Sequence, residues 1–443
     1  MTAFRGSWRA RVWRLSWPIM LANLSVPLPG AVDTAVLGHV GNSAAIGAVS
    51  LCAAIFMTLF WGFGFLRMGA TGLTAQARGS DDPAEARMVL LRGLLLAAVF
   101  ALLLLLLRQA IAGFAFPLLG AGPDVESLAR DYYAIRIWGA PATLGVYVLT
   151  GWFLGLGSAR IPMLLQFLVN GANILLDLWF LLGLGWGVQG VAAATVAAEY
   201  AGLALGLTLA ARHLDAGFFT GPAADFLQRL LNGRRLRRML SLNRDIFLRT
   251  LCLNAAFMLF TASGARLGDD ILAANAVLLN FLYFTAFGLD GIANAAESLA
   301  GEAVGRGDPH ALSAAARAAL GLGGVAALGI AAVYALTGER IISLFTDLPE
   351  VRETARAYLP WVAALPLFSV WSFIYDGLFL GATRGRDLRN MMILSLAGYL
   401  ALLLLAADPL GNHGLWAAMM LFMILRGLTL WLRWPALLRS VSS

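Results

Sequence analysis

The residues best suited to chemistry in this sequence are carboxylates and amides that lie inside strongly apolar segments. Asn173 and Asp177 are four residues apart, a spacing that places both on one face of a helix, with Asn170 one turn earlier. Asp33 and Thr195 lie in two further apolar segments. Carboxylate, amide and hydroxyl oxygens can hold a proton or a hard cation such as Na+. Asp33, Asn173, Asp177 and Thr195 are therefore the candidate site for a coupling proton or cation.

Two neighbouring carboxylates in a poorly solvated site cannot both ionise cheaply, so Asp33 and Asp177 are expected to share one proton. Asn173 and Thr195 would orient them. The structural alternative is that these groups only hydrogen-bond neighbouring helices, as polar residues in membranes commonly do, and that Asp33 ends its helix near the surface. Ionisable groups are costly in lipid, and both interpretations stay open at this point.

Three prolines precede Asp33, namely Pro18, Pro27 and Pro29. Proline removes a backbone donor and kinks a helix, so these three residues are the candidate hinge. A bend that straightens next to Asp33 would change the exposure of its carboxylate.

A second group of ionisable residues occurs in the later apolar segments. Asp290 and Glu297 are seven residues apart and share a helix face, and Arg249 is an available partner for them. Asp376 lies in the middle of another segment. A buried ionic cluster of this kind can be structural or can form a second functional site, and the sequence leaves both interpretations open.

The segments that hold these residues predict an all-α polytopic membrane protein. The chain has 443 residues, of which 60% are hydrophobic and 13% charged, against roughly 25% charged in soluble domains. A hydrocarbon core requires about 20 mostly apolar residues per helix, and twelve segments meet this requirement. They lie near 13–37, 44–75, 88–107, 130–156, 162–183, 187–211, 243–266, 271–301, 314–337, 355–382, 390–407 and 413–437.

The sequence also repeats itself at a fixed offset of 226 residues. Gly151-Trp152-Phe153-Leu154-Gly155 recurs as Gly377-Leu378-Phe379-Leu380-Gly381, and Gln76-Ala77-Arg78-Gly79 recurs as Glu302-Ala303-Val304-Gly305. Each half is long and apolar, so this is a duplicated membrane domain rather than an array of short soluble repeats. Duplicated halves around a shared cavity are typical of secondary transporters.

Twelve segments divide into six and six. Residues 1–212 form the predicted first lobe with helices 1–6, residues 213–242 a linker, and residues 243–443 the second lobe with helices 7–12. An even number of spans gives both halves the same orientation, so the two lobes are expected to be pseudo-symmetric. Arginines are concentrated in the linker and the N-terminal segment, which predicts a cytoplasmic linker and two cytoplasmic termini.

Several classes of function are excluded. The net charge of +7 does not indicate nucleic-acid binding, because the arginines lie in short loops between apolar segments. Cys52 and Cys252 fall inside apolar segments and the four histidines are scattered, so we expect no disulfide, no structural metal and no cofactor. The sequence has no P-loop, dinucleotide-binding glycine motif or nucleophile elbow. We therefore expect neither an enzyme nor a chain that drives transport with ATP by itself.

A family resemblance rests on specific stretches. Trp17-Pro18, Pro27-Leu28-Pro29-Gly30, Asp33-Thr34 and Leu37-Gly38-His39 together resemble the first helix of the MATE (multidrug and toxic compound extrusion) transporters. The stretch 71–79 resembles the end of their second helix. Asn243-Arg244-Asp245-Ile246, Leu289-Asp290-Gly291, Glu297 and the stretch 376–384 are similar to the DinF-like bacterial branch. The resemblance covers nearly the whole chain.

This resemblance implies two six-helix lobes that open alternately to each side of the membrane. In relatives, an aspartate of helix 1, an asparagine and an aspartate of helix 5 and a threonine of helix 6 bind the cation, which Asp33, Asn173, Asp177 and Thr195 match. Pro29 stands where some relatives have a tyrosine. Helix 7 lacks the glutamate that other branches pair with the carboxylate matched by Asp376, which argues against a second Na+ site.

We therefore expect a monomeric exporter of bulky cationic or amphipathic drugs and toxic compounds, coupled to H+, in a bacterial inner membrane. One alternative is a Na+-coupled exporter of the same family, with Na+ at the first-lobe site. The other is a lipid-linked precursor flippase of the same superfamily. Such flippases often have fourteen helices and a strongly cationic cavity, so twelve helices and an acidic site argue against that alternative.

Overall fold

The computed structural model describes residues 7–39, 43–214 and 223–442, and the regular secondary structure in these ranges is helical. Twelve helical spans in the described chain are long and apolar enough to cross a bilayer, by length and composition. The prediction of an all-α protein with twelve transmembrane helices is thus confirmed. Helices are the expected solution because they satisfy their own backbone hydrogen bonds in lipid.

Several spans consist of two successive helices. In chain order the helices are α1 (Trp8–Ser25), α2 (Leu28–His39), α3 (Ser43–Trp61), α4 (Phe65–Gly79), α5 (Pro83–Leu106), α6 (Arg108–Leu119), α7 (Pro123–Arg136), α8 (Ala140–Gly155), α9 (Arg160–Asp177), α10 (Gly187–Ala211), α11 (Ala223–Leu230), α12 (Gly233–Arg266), α13 (Asp269–Gly305), α14 (Pro309–Phe345), α15 (Pro349–Gly381), α16 (Gly385–Leu410) and α17 (Asn412–Ser442). A single π-helical turn, Leu178–Gly183, continues α9.

The first span is interrupted among the three prolines. α1 ends at Ser25 and α2 begins at Leu28, so Pro27 lies in the break and Pro29 in the first turn of α2. Pro18 lies inside α1 without ending it. The break follows from proline chemistry, because Pro27 and Pro29 cannot donate the backbone hydrogen bonds that would continue α1. The use of this break as a hinge stays a prediction.

The predicted linker 213–242 is helical over most of its described length. α11 lies within it, and α12 begins at Gly233, before the segment expected near 243–266. The Arg92 guanidinium on α5 donates to the backbone oxygens of Arg229 (2.8 Å) and Leu230 (3.1 Å), which ties α11 to α5. Residues 215–222 of the linker lie outside the described ranges.

α6, like α11 in the linker, has no counterpart among the twelve predicted apolar segments. α6 follows α5 directly after Leu107 and has 12 residues, which is too short to cross a hydrocarbon core of about 30 Å. Its side chains are mostly apolar, but Arg108 and Gln109 stand at its start.

In both copies of the sequence repeat, an aspartate caps the start of a helix. Asp82 precedes α5 and accepts a hydrogen bond from the Glu85 N–H at 2.9 Å. Asp308 precedes α14 and accepts from the Ala311 N–H, also at 2.9 Å. Both aspartates stand before a proline at the first helical position, where proline's missing N–H costs nothing.

Repeated glycine contacts follow the same offset. Gly151 packs against the backbone of Arg67, and Gly377 packs against the backbone of Ala293, so closely that a Cβ would clash in both places. Each residue of the second contact lies 226 positions after its counterpart in the first. The superposition of complete halves stays a prediction.

The chain separates into two compact units. One comprises 1–20, 75–81 and 239–443, and the other comprises 21–74 and 82–238, as far as these ranges are described. The first unit has an aromatic core in which the Phe260 and Trp416 rings meet edge to face at 4.9 Å. The lobe boundaries predicted near 212 and 243 stay a prediction.

Candidate functional site

Three helices of the second unit carry the four predicted first-lobe residues. α2 positions Asp33, α9 positions Asn173 and Asp177, and α10 positions Thr195. Asp33 is 8% exposed, Asn173 4% and Asp177 1%, so these three polar side chains are buried inside the protein. The structure therefore gathers residues that the sequence places in three separate segments.

The Asp33 and Asp177 carboxyl groups lie within hydrogen-bonding reach of each other. Within the described ranges, no N–H or O–H group of another residue donates a hydrogen bond to either carboxylate oxygen of Asp177 or to the Oδ1 of Asp33. No arginine in these ranges lies within ion-pair distance of either carboxylate. Because two carboxylates have no hydrogen of their own, a hydrogen bond between them requires one bound proton. A proton shared by this pair stays a prediction.

The neighbouring amide and hydroxyl groups are tied to each other. The Asn173 side-chain amide donates to the Thr195 hydroxyl at 3.2 Å, and the Thr195 hydroxyl donates to the Val191 backbone oxygen at 3.0 Å. These contacts fix the α9–α10 side of the site. Both residues still present oxygen atoms, so the donor set also fits a hard cation.

Asn170 connects the site to the proline break. Its amide nitrogen donates to the backbone oxygen of Ser25 at 2.9 Å and to the Ser25 hydroxyl at 2.8 Å. Ser25 is the last residue of α1, while Asp33 lies beyond the break in α2. α9 therefore holds the end of α1 through Asn170 and faces α2 through Asp177. The carboxyl pair and the Asn170 contact therefore lie on opposite sides of the break.

Sequence reasoning missed Tyr132. This residue lies on α7, is 5% exposed, and its hydroxyl lies within reach of the Thr195 hydroxyl and close to Asp33. A neutral aromatic residue inside an apolar segment gives no electrostatic signal. Only the packing of α7 against α10 identifies Tyr132 as a neighbour of the site.

A second buried pair near this site is structural. Arg136 of α7 makes two parallel hydrogen bonds to Glu199 of α10, at 2.6 and 2.9 Å. The Arg136 guanidinium also lies over the rings of Phe56 and Phe60, at 5.1 and 5.2 Å. Glu199 thus has its counter-charge already, and its carboxylate needs no mobile ion.

The second-lobe cluster differs from the expected pairing. Arg249, expected as the partner of Asp290 and Glu297, forms an ion pair with Asp376 instead. Arg426 of α17 joins the same carboxylate at 2.6 Å. These three side chains are all less than a tenth exposed. A carboxylate held by two guanidiniums has no need of a proton or cation, which favours a structural role for Asp376.

The two remaining second-lobe candidates lie on α13. Glu297 is 1% exposed. Asp290 is close enough to Arg426 to interact with it electrostatically. Asp290 is thus linked to the Asp376 cluster through Arg426, and the functional role of the four second-lobe candidates stays a prediction.

A further charge cluster was not predicted. Glu302 on α13 pairs with Arg11 of α1 at 2.9 Å, with Arg78 of α4 and with Arg306, the residue that follows the end of α13. Its repeat counterpart Gln76 instead donates to the backbone oxygen of Gly381 (3.1 Å) and to the Thr383 hydroxyl (3.0 Å). All of these residues belong to the first unit. The two equivalent positions therefore hold the α1 and α4 ends against α13 and α15.

No group of three or more His, Cys, Asp or Glu side chains in the described residues could hold a metal ion. Cys52 and Cys252 are both free thiols. The oxygens available to a cation at this site are those of hydroxyl, amide and carboxylate groups.

Comparisons with known proteins agree over nearly the whole chain. A family model described as MatE matches residues 18–179 and 246–406. DNA damage-inducible protein F of Escherichia coli (strain K12) is 44% identical over 98% of this chain and 93% of that protein. The probable multidrug resistance protein NorM of Rhodopseudomonas palustris is 28% identical over 89% of this chain and 84% of that protein.

Solved structures give the same fold. The Vibrio cholerae MATE transporter VcmN in the bent form has a TM-score of 0.84 at 22% identity and covers 98% of both chains. At this level of identity, the likeness establishes the architecture and leaves the individual side chains to be argued from this chain itself.

Proposed function

The chain belongs to the MatE family of multidrug efflux transporters, and from this membership we propose that it is a secondary antiporter that exports bulky cationic or amphipathic compounds in exchange for H+. The Rhodopseudomonas palustris relative is named a probable multidrug resistance protein and the Vibrio cholerae structure a MATE transporter, which supports transport rather than enzymatic activity. Transport by alternating access would use the two repeated halves, each of which keeps its own set of helix contacts.

The observation that carries the proton proposal is the facing pair of Asp33 and Asp177. Both carboxyl groups are buried, they reach each other, and neither has an arginine partner within the described residues. An unpaired charge in such a place is costly. One shared proton removes one charge and completes a hydrogen bond at the same time, so the site binds a proton in preference to remaining doubly ionised.

Coupling would act through the break in the first span. Protonation from outside reduces the charge between α2 and α9, while Asn170 keeps hold of Ser25 at the end of α1. The segment after Pro27 is then free to change its angle relative to α1. In the exchange cycle this change would release the exported compound outside, and loss of the proton to the inside would reset the site.

The test is transport in a defined membrane. The purified protein is reconstituted in liposomes, and efflux of a cationic dye is measured under a pH gradient and, separately, under a Na+ gradient. We expect the pH gradient alone to drive efflux. Efflux that requires the Na+ gradient would instead support the Na+-coupled alternative at the same oxygens.

The flippase alternative predicts a different result in the same liposomes. A lipid-linked precursor would cross the bilayer without any dye efflux under either gradient. The acidic, arginine-free Asp33–Asp177 pair disfavours this alternative, because a precursor bearing phosphate groups would be repelled by it.

The setting of the protein completes the proposal. It is a multi-pass membrane protein, and we place it in a bacterial inner membrane as a monomer with both termini and the 213–242 linker in the cytoplasm. The arginine distribution supports this orientation. Thiol labelling of a cysteine placed in the linker should fail from outside intact cells, and efficient labelling there would reverse the orientation.

A further inference from the structure

A cavity of about 210 Å³ lies between α6 and α7 in the second unit, away from the Asp33–Asp177 pair. Two arginines and three aromatic rings line it, together with a glutamine. The residues are Arg108, Gln109, Phe116, Arg130, Tyr133 and Trp138. Guanidinium groups beside aromatic rings, at the end of a membrane span, are the chemistry that recognises a phosphate group next to lipid.

The helix that forms one wall, α6, has the length and exposure pattern of a helix at a bilayer surface. α6 begins directly after the apolar span α5, and its 12 residues are too few to cross the membrane. Phe114 is 73% exposed and Leu118 72% exposed, whereas Ala112 and Phe116 are buried against the protein. A short helix with a buried face and an exposed apolar face is typical of a segment that lies in the interface and contacts acyl chains.

Arg108 is held in place but keeps its charge unpaired. Its backbone oxygen accepts a hydrogen bond from the Tyr133 hydroxyl at 3.0 Å, and its guanidinium lies 5.3 Å from the centre of the Trp138 ring. Within residues 7–39, 43–214 and 223–442, no carboxylate lies within ion-pair distance of Arg108. The ring covers one face of the guanidinium and leaves its N–H edges available as donors.

Arg130 contributes differently. It pairs with Glu126 one turn earlier at 2.6 Å, and its guanidinium lies 4.7 Å from the centre of the Phe116 ring. Its charge is therefore largely balanced, so Arg108 is the cation that an incoming anion would meet.

We propose that this cavity binds the phosphate of a phospholipid headgroup, with Arg108 as the donor and the acyl chains along Phe114 and Leu118. An exported cation is a poor occupant, because it would meet the Arg108 charge. A free phosphate ion would neutralise the Arg108 charge but would not cover the neighbouring exposed apolar surface, so the observations favour the lipid.

The experiment measures lipid retention by the full-length protein. Wild type and variants are purified in a phosphate-free detergent and titrated with phosphatidylglycerol, and bound lipid is counted by native mass spectrometry. The loss of one charge-assisted hydrogen bond predicts about tenfold weaker binding for Arg108→Gln. Arg108→Lys keeps the positive charge but lacks the planar guanidinium with its paired N–H donors, so it should bind the lipid with intermediate affinity. This variant also tests the proposal if Arg108→Gln folds poorly.

The matched control is Arg340→Gln on α14, which removes an exposed arginine that lines neither this cavity nor the coupling site. It should bind lipid like wild type. Arg108 variants that both retain lipid as tightly as wild type would overturn the proposal, as would an equal loss in Arg340→Gln. Full displacement of the lipid by equimolar inorganic phosphate would assign the cavity to a free anion and overturn the lipid assignment.

Discussion

Gly79 and Gly305 lie against each other so closely that a Cβ built on Gly79 would be 3.0 Å from the Gly305 Cα. They occupy equivalent positions in the two repeats, 226 residues apart. Gly79 packs on the backbone of Glu302, and Gly305 packs on the backbone of Gln76, which is the repeat counterpart of Glu302. The contact between the α4 and α13 ends is therefore symmetric, because each end packs its glycine on the backbone of the other.

The first prediction concerns this contact. Gly79→Ala should lower the thermal unfolding temperature, because the added methyl group meets backbone atoms that cannot move aside, and overpacking typically costs about 1–3 kcal/mol. The measurement is a thermal unfolding scan of the purified protein in detergent. Gly321→Ala on α14 is the matched control, since its Cβ meets nothing within 4 Å, and it should be neutral or stabilising by up to about 1 kcal/mol. Equal unfolding temperatures for Gly79→Ala and wild type would contradict the packing argument.

The second prediction concerns Glu302, on which Arg11, Arg78 and Arg306 converge. Glu302→Gln should leave three guanidiniums facing each other without a counter-charge, at a cost of about 3 kcal/mol. Repulsion between the three guanidiniums should also make the α4 and α13 ends separate more often. Hydrogen exchange of the backbone amides in 75–81 and 300–306 should become faster.

The control for this experiment is Glu339→Gln, which removes an exposed pair with Arg356. Exposed pairs contribute between 0 and about 1 kcal/mol, so exchange in both segments should stay as in wild type. Unchanged exchange in Glu302→Gln would mean that the glycine contact alone keeps this end closed.

The third prediction concerns the carboxyl pair. Asp33→Asn should abolish pH-driven dye efflux while the protein still folds, because asparagine resembles a protonated aspartate in size and hydrogen bonding but cannot release a proton. Asp177→Asn should have a similarly severe effect, since the two carboxyl groups would share one proton. Asp131→Asn, an exposed change on α7, is the matched control and should transport like wild type. Persistent pH-driven efflux in Asp33→Asn would assign the proton to another site.

The fourth prediction separates Asp376 from that pair. Asp376→Asn removes the carboxylate that Arg249 and Arg426 share, so it should destabilise the fold by about 3–5 kcal/mol. Addition of Arg426→Met should restore part of the lost stability, because it removes one of the unpaired charges. The readout is again thermal unfolding.

The comparison for this prediction is Asp387→Asn. Asp387 pairs with the half-exposed Arg433, so its loss should change the free energy of unfolding by less than about 1 kcal/mol. An Asp376→Asn protein that is as stable as wild type, yet has lost pH-driven efflux, would show that Asp376 takes part in coupling instead.

The sequence by itself determined the twelve helices and the repeat. The bilayer sets the length of each apolar segment, and a helix satisfies its backbone within that segment, so both properties are local. The caps at Asp82 and Asp308, which were not predicted from the sequence, are local as well, because each cap involves residues three positions apart. The first-lobe residues Asp33, Asn173 and Asp177 stood out because charged and amide groups are rare in apolar segments.

Only the tertiary structure decided which helices meet. Periodicity gives the face of a helix on which Arg249 lies, but it does not say whether that face meets Asp290 or Asp376. Tyr132 and Glu302 illustrate the same limit, since the first is an uncharged neighbour of Thr195 and the second pairs with arginines of two other helices, α1 and α4. Partner choice depends on the packing of side chains hundreds of residues apart, and no local pattern in the chain encodes that packing.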